Sequence, residues 1–144
     1  MTASTAVPLR PTLLPPQCAV DYEFLRTRLA DPTVLTQSVA VQVYRVPLIA
    51  VAVGGPRHGG YLPVDLVTIA VAIRDLLSGQ PGFPDVRVGW SPYRDSSHVV
   101  EWGGRPPPSD DVERGLFYGY RPDAIAAFVR QRSSHPARQG AVHT

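Results

Sequence analysis

Val39-Ala40-Val41-Gln42-Val43-Tyr44 and, after Arg45-Val46-Pro47, Leu48-Ile49-Ala50-Val51-Ala52-Val53 decide the fold class of this chain. In the first run Val39, Val41 and Val43 alternate with Ala40, Gln42 and Tyr44, the period-two pattern of a strand with one buried face. The second run is apolar on both faces, as a strand inside a sheet must be. The intervening Arg45-Val46-Pro47 predicts a turn, because proline donates nothing to a ladder. Immediately downstream, Gly54-Gly55-Pro56-Arg57-His58-Gly59-Gly60 predicts a loop. Pro63 predicts the first turn of a helix that runs to about Leu77 and stops at Ser78-Gly79. That helix is apolar nearly all round, which predicts a central buried element.

Further out the patterns are shorter. Val86, Val88 and Trp90 alternate with Arg87 and Gly89, and His98, Val100 and Trp102 alternate with Val99 and Glu101. Placing Val88 opposite Val100 sets Trp90 against His98, Val86 against Trp102 and Arg87 against Glu101, a register that satisfies both faces at once. On the N-terminal side, Tyr22, Leu25 and Leu29 recur at helical spacing, so Asp21–Leu29 predicts a short helix capped by Asp21 and ended by Asp31-Pro32. Leu116-Phe117-Tyr118-Gly119-Tyr120 predicts a last strand. Pro122 then predicts a helix with Ile125, Phe128 and Val129 on its inner face. The order α-β-β-α-β-β-β-α predicts an α+β fold: a single small domain with an antiparallel or mixed five-stranded sheet packed against the long buried helix. Residues 20–132 form this domain; 1–19, with Pro8, Pro11, Pro15 and Pro16, and 133–144 read as disordered tails.

Composition narrows the function classes. The chain has 144 residues, 44% hydrophobic and 18% charged, as globular proteins do. All fourteen basic residues are arginine, and lysine and asparagine are absent. This is a GC-rich codon signature before it is a binding signature, because without lysine arginine must also serve as ordinary surface charge. Residues 21–132 hold twelve arginines against twelve acids and are formally neutral, so the pI near 9.0 arises in the tails. A nucleic-acid partner needs clustered positive charge, and this domain does not predict one. The lone cysteine, Cys18, excludes an internal disulfide. The N-terminus lacks the pattern of a signal peptide, and the longest apolar run, Val46–Val53, is far short of the roughly 18 residues of a membrane span. The expectation is a cytoplasmic protein without a membrane anchor.

Three groups of residues are candidates for chemistry. Arg57 and His58 lie between paired glycines, where backbone N–H groups and a guanidinium could receive an anion, although neither dinucleotide-binding nor P-loop spacing is present. The bland alternative is a connection whose glycines supply unusual backbone angles. Trp90 to Trp102 gathers Tyr93, Arg94, Asp95, His98 and Glu101. Its residue types suit nucleophilic and general-base work, yet the proposed register turns Glu101 away from His98, and a hairpin loop explains the same residues. Tyr118 and Tyr120 would share one face of the last strand, available to a partner, or would simply serve the sheet. His58, His98, Asp95 and Glu101 show no spacing that makes a metal site. No catalytic assignment and no cofactor follow; His98, His58 and Asp95 are the residues an enzymatic alternative would use.

The stretches VAVQVYRVPLIAVAVGG, GGYL, GQPGFPDVRVGWSPYRDSSHVVEWG and FYGY followed by a short helix resemble a family of small uncharacterised proteins from Streptomyces-type actinobacteria, over about residues 20–132. The resemblance implies no activity, substrate or catalytic residue. The expectation is a non-enzymatic binding or regulatory module that uses Arg57, His58, Tyr93, Arg94, Asp95, Tyr118 and Tyr120 toward a protein partner or a small anionic ligand. The alternatives are an enzyme for a small anionic or phosphorylated substrate and, third, a nucleic-acid-binding protein.

Overall fold

The structure, a computed structural model, describes residues 10–90, 98–108 and 110–134. These residues form six strands and four helices: β1 (Thr12–Leu14), α1 (Tyr22–Arg28), β2 (Val39–Gln42), β3 (Leu48–Ala50), β4 (Gly59–Val64), α2 (Val67–Leu77), β5 (Arg87–Trp90), β6 (His98–Gly103), α3 (Asp111–Phe117) and α4 (Pro122–Ser134). The α+β class and the small single domain agree with expectation. The single five-stranded sheet does not: two antiparallel three-stranded sheets form instead, ordered β1-β2-β3 and β4-β6-β5.

The hairpin of β5 and β6 has the expected register, with Arg87 opposite Glu101, Val88 opposite Val100 and Trp90 opposite His98. Arg87 Nε lies 3.4 Å from Glu101 Oε1, and the same guanidinium donates to the Gly103 carbonyl at 2.8 Å. The first sheet lies between two apolar cores. Ala40, Ile49 and Val51 meet Leu25, Leu29, Val34 and Leu35 on one side. Val41, Ala50 and Ala52 meet α2 and the second sheet on the other, around the fully buried Trp102, Ile73 and Leu77. Each such side chain contributes roughly 1.5–3 kcal/mol by leaving water.

Four expectations need correction. Gly59–Val64 is a strand, paired from Gly59 opposite Gly103 to Val64 opposite His98, so the glycine-rich loop shrinks to its first half and α2 starts only at Val67. Pro63 suits an outer strand as well as a first helical turn, and pairing with β6 decides between them. Gly60 is required there, since a Cβ at this position would stand 2.5 Å from the Trp102 ring. Second, Leu116–Phe117 ends a helix rather than forming a strand, because Asp110 caps α3 by accepting the Glu113 N–H at 2.9 Å. Third, Phe128 is exposed, and from the inner face expected for α4 only Ile125 is buried. Fourth, the Asp21 side chain does not cap α1; its carboxylate accepts the Ile49 N–H at 2.9 Å. The proline-rich stretch before residue 20 also supplies β1, whose Leu13 sits opposite Val41. Pro11 and Pro15 flank this strand and so cost it no ladder bond.

β3 and β4 are the facing edges of the two sheets, and they do not pair. Ile49 gives its outward N–H to Asp21, and the Val51 carbonyl accepts both Trp102 Nε1 at 2.9 Å and Arg57 Nε at 3.3 Å. Pro63 has no N–H to offer. Side chains thus satisfy backbone groups that would otherwise bind a neighbouring strand, and a seam remains between the sheets.

Candidate functional site

Arg57 closes a tight turn. Its N–H donates to the Gly54 carbonyl at 2.8 Å and its carbonyl accepts the Gly54 N–H at 3.1 Å, with Gly55 at φ +50° between them. The next residue is clipped to the end of α3, since His58 N–H donates to the Phe117 carbonyl at 2.8 Å. α3 itself ends in a Schellman motif: Tyr120 N–H donates to the Gly115 carbonyl and Gly119 N–H to the Leu116 carbonyl, each at 3.0 Å, with Gly119 at φ +79°. A Cβ on Gly119 would lie 2.8 Å from the Cβ of Arg57. The motif places Tyr118 and Tyr120 on either side of this glycine, against the arginine.

Arg57 is only 6% exposed. Its Nε donates to the Val51 carbonyl and one terminal nitrogen donates to the Tyr118 carbonyl at 2.8 Å. The Tyr118 ring centroid stands 5.6 Å from the guanidinium carbon, and Tyr120 lies in the same group. Among the described residues no carboxylate pairs with it. Hydrogen bonds to a charged group contribute about 1.5–3 kcal/mol each and cation–π contact about 0.5–2, which together roughly offset the several kcal/mol of burying an ion. The positive charge itself is left without a counter-charge. Burial pushes the Arg57 pKa down, partly opposed by Tyr120, Tyr118 and Tyr61. Burial likewise pushes the Tyr118 phenol up, reinforced by Tyr61 and Glu101 and opposed by Arg57.

A recess of about 240 Å³ opens beside this group, along the seam of β3 and β4. Arg57, Tyr61, Tyr118 and Tyr120 line it together with apolar Leu25, Leu48, Ile49 and Leu62, and Asp21 is also part of the lining. Tyr61 and Tyr118 pack at 5.3 Å between ring centroids. A second recess of about 390 Å³ lies further along the seam, lined by Val43, Tyr44, Leu48 and Val64, with the Tyr44 hydroxyl donating to Asp65 at 3.2 Å.

The residues singled out from the sequence are thus only partly gathered. Arg57, Tyr118 and Tyr120 meet at one place, the tyrosines on a helix terminus instead of a strand. His58 is exposed and tilts against Phe117 at 6.0 Å. His98 pairs with Val64 at the opposite end of the β4–β6 ladder from Gly59, about 17 Å away at roughly 3.4 Å per residue. Tyr93, Arg94 and Asp95 lie outside the described residues. Among the described residues no three metal-ligating side chains cluster, and no helix is long and apolar enough to cross a membrane. Tyr61, Leu25 and Leu48 were not indicated by the sequence reading. Tyr61 carried a signal, as an aromatic flanked by Gly60 and Leu62 in a potential strand; the two leucines join the wall only through tertiary packing.

A buried guanidinium beside phenols, at a seam between two short sheets, marks the recess of this α+β domain. The chain belongs to DUF6302, a family of unknown function, whose model matches residues 13–144. No curated protein and no solved structure matches it.

Proposed function

We propose that this protein is a non-enzymatic binding module that takes a small organic anion in the recess beside Arg57. The observation that carries this reading is a nearly fully buried arginine that meets carbonyls and phenols and, among the described residues, no carboxylate. A guanidinium has five N–H donors. The Val51 and Tyr118 carbonyls take two of them, and a bound anion would take from the others. Binding rather than catalysis is supported by the composition of the wall, where a fixed cation stands among phenols and apolar side chains while His98 lies at the far end of the sheet. The wider surface of the Gly54–Gly60 segment and the tyrosines is the natural place for a protein partner to sense the occupied state. The unpaired Cys18 and the arginine-only composition support a cytoplasmic role in an actinobacterium with a GC-rich genome.

Thermal-shift measurement of the full chain against organic carboxylates, phosphate and sulfate tests the reading. At least one anion should raise the melting temperature by several degrees, since ligand bound only by the folded state stabilises it by mass action. Arg57→Gln should remove the rise while keeping the far-UV circular dichroism spectrum. Equal stabilisation of wild type and variant by every anion would refute a site at Arg57.

A further inference from the structure

The shape and charge of the recess narrow the ligand further, on the understanding that Arg57 is an anion site. We infer that the ligand is a monocarboxylate with a small branched or aromatic apolar body, and not a phosphate ester. Four observations converge on this class. The first is charge. Arg57 is the cation of the wall, and Asp21, with one oxygen committed to the Ile49 N–H, adds a negative group to the lining. A monoanion neutralises Arg57; a phosphate monoester carries nearly two charges at neutral pH, and its second charge would meet Asp21 and leucine side chains.

The second observation is donor geometry. Phosphate sites are commonly built from several converging backbone N–H groups at a loop or helix start. Here three backbone donors of the lining and its turn are already used: Arg57 N–H by Gly54, His58 N–H by Phe117, and Ile49 N–H by Asp21. Arg57 itself gives two of its donors to the Val51 and Tyr118 carbonyls, and a planar guanidinium suits the two oxygens of a carboxylate. Third, much of the lining is apolar: Leu25, Ile49 and Leu62 are buried, and Leu48 is half in water at 41% exposure. A ligand body would cover the exposed part of Leu48. Fourth, about 240 Å³ is less than the ~300–1,000 Å³ of sites for drug-sized ligands, which favours a small acid over a larger ligand.

Trp102 provides a reporter. Its indole N–H donates to the same Val51 carbonyl that accepts Arg57 Nε, and the chain has only two tryptophans, so its indole signal in a ¹⁵N correlation spectrum is readily assigned. Isovalerate, benzoate, acetate and inorganic phosphate should be titrated separately into the ¹⁵N-labelled full chain. Isovalerate and benzoate are expected to move the Trp102 indole and Arg57 Nε signals saturably, with at least tenfold tighter binding than acetate, and phosphate is expected to move neither. Leu48→Glu, at a partly exposed position of the wall, should weaken isovalerate at least tenfold while leaving the amide spectrum otherwise native, which keeps the test independent of how well Arg57→Gln folds. Phosphate binding as tight as benzoate would overturn the carboxylate class and leave the anion site standing. Acetate equal to isovalerate would overturn the apolar body. If no anion moves either signal, the site itself falls.

Discussion

At the scale of single residues, the recess turns on how burial treats ionisable groups. Burial lowers the Arg57 pKa from the high value at which every guanidinium starts. Tyr118 responds in the other direction. Its phenol is held above the ordinary tyrosine value, first by burial and then by Tyr61 and Glu101, so the folded chain binds this proton more tightly than the unfolded chain. The associated stabilisation is complete below about pH 10, the unfolded value, and is lost as pH rises from there toward the higher folded value. Spectrophotometric titration at 295 nm should therefore find a late component, to which Tyr44, raised by burial and by Asp65, also contributes. Tyr118→Phe should diminish that late component and flatten the alkaline fall in melting temperature. A tyrosine titration with no late component would contradict this account. Arg57 and the two tyrosines could be singled out from the sequence, because an arginine among glycines and aromatics near the C-terminus are unusual in themselves. Their convergence could not, since Tyr118 and Tyr120 meet Arg57 through a helix terminus some sixty residues downstream.

At the scale of elements, the β5–β6 register was readable because both faces constrain it: valines and an aromatic on one side, Arg87 and Glu101 on the other. β4 was not. Its sequence, Gly59-Gly60-Tyr61-Leu62-Pro63-Val64, contains residues that disfavour strands, and the pairing with β6 outweighs their propensity. α3 was misread for the opposite reason. The aromatic run Phe117-Tyr118-Gly119-Tyr120 suggested a strand, while Asp110 and Glu113, an N-cap residue and its third-position acid just before Leu116, carried the better signal. Gly119 then stops the helix and meets Arg57. Gly119→Ala is expected to destabilise the chain by about 1–3 kcal/mol, because alanine is strained at positive φ and its methyl group would press on Arg57. Urea denaturation checks the magnitude. Arg57 should also lose its anion response in this variant, whereas an equally destabilised variant in the other core, such as Ile73→Val, should keep it.

At the scale of the whole molecule, hydrophobic patterning correctly indicated an α+β domain but could not reveal that the strands divide into two sheets. Division depends on groups outside the pattern: Asp21 from the start of α1, Trp102 from β6 and Arg57 from its turn, all bonded to backbone atoms of the Ile49–Val51 segment. Periodicity reports which face of a strand is buried and says nothing about what meets its edge. The recess exists because that edge is blocked by side chains instead of being paired.

The Asp21 contact has a consequence for colloidal behaviour. A carboxylate at the start of a short helix shields the Ile49 amide, and α1 is a two-turn element held by Tyr22, Leu25 and Leu29 and by the bonds from Ala30 N–H to the Gly119 carbonyl and from Arg121 N–H to the Arg28 carbonyl. Detaching it would expose an apolar strand edge of Leu48, Ile49 and Ala50, a template for addition of a strand from another molecule. Asp21→Ala should therefore remain largely folded yet show time-dependent light scattering and thioflavin binding at concentrations where the parent chain stays clear. The first helix of this protein is, on that view, a guard against its own polymerisation.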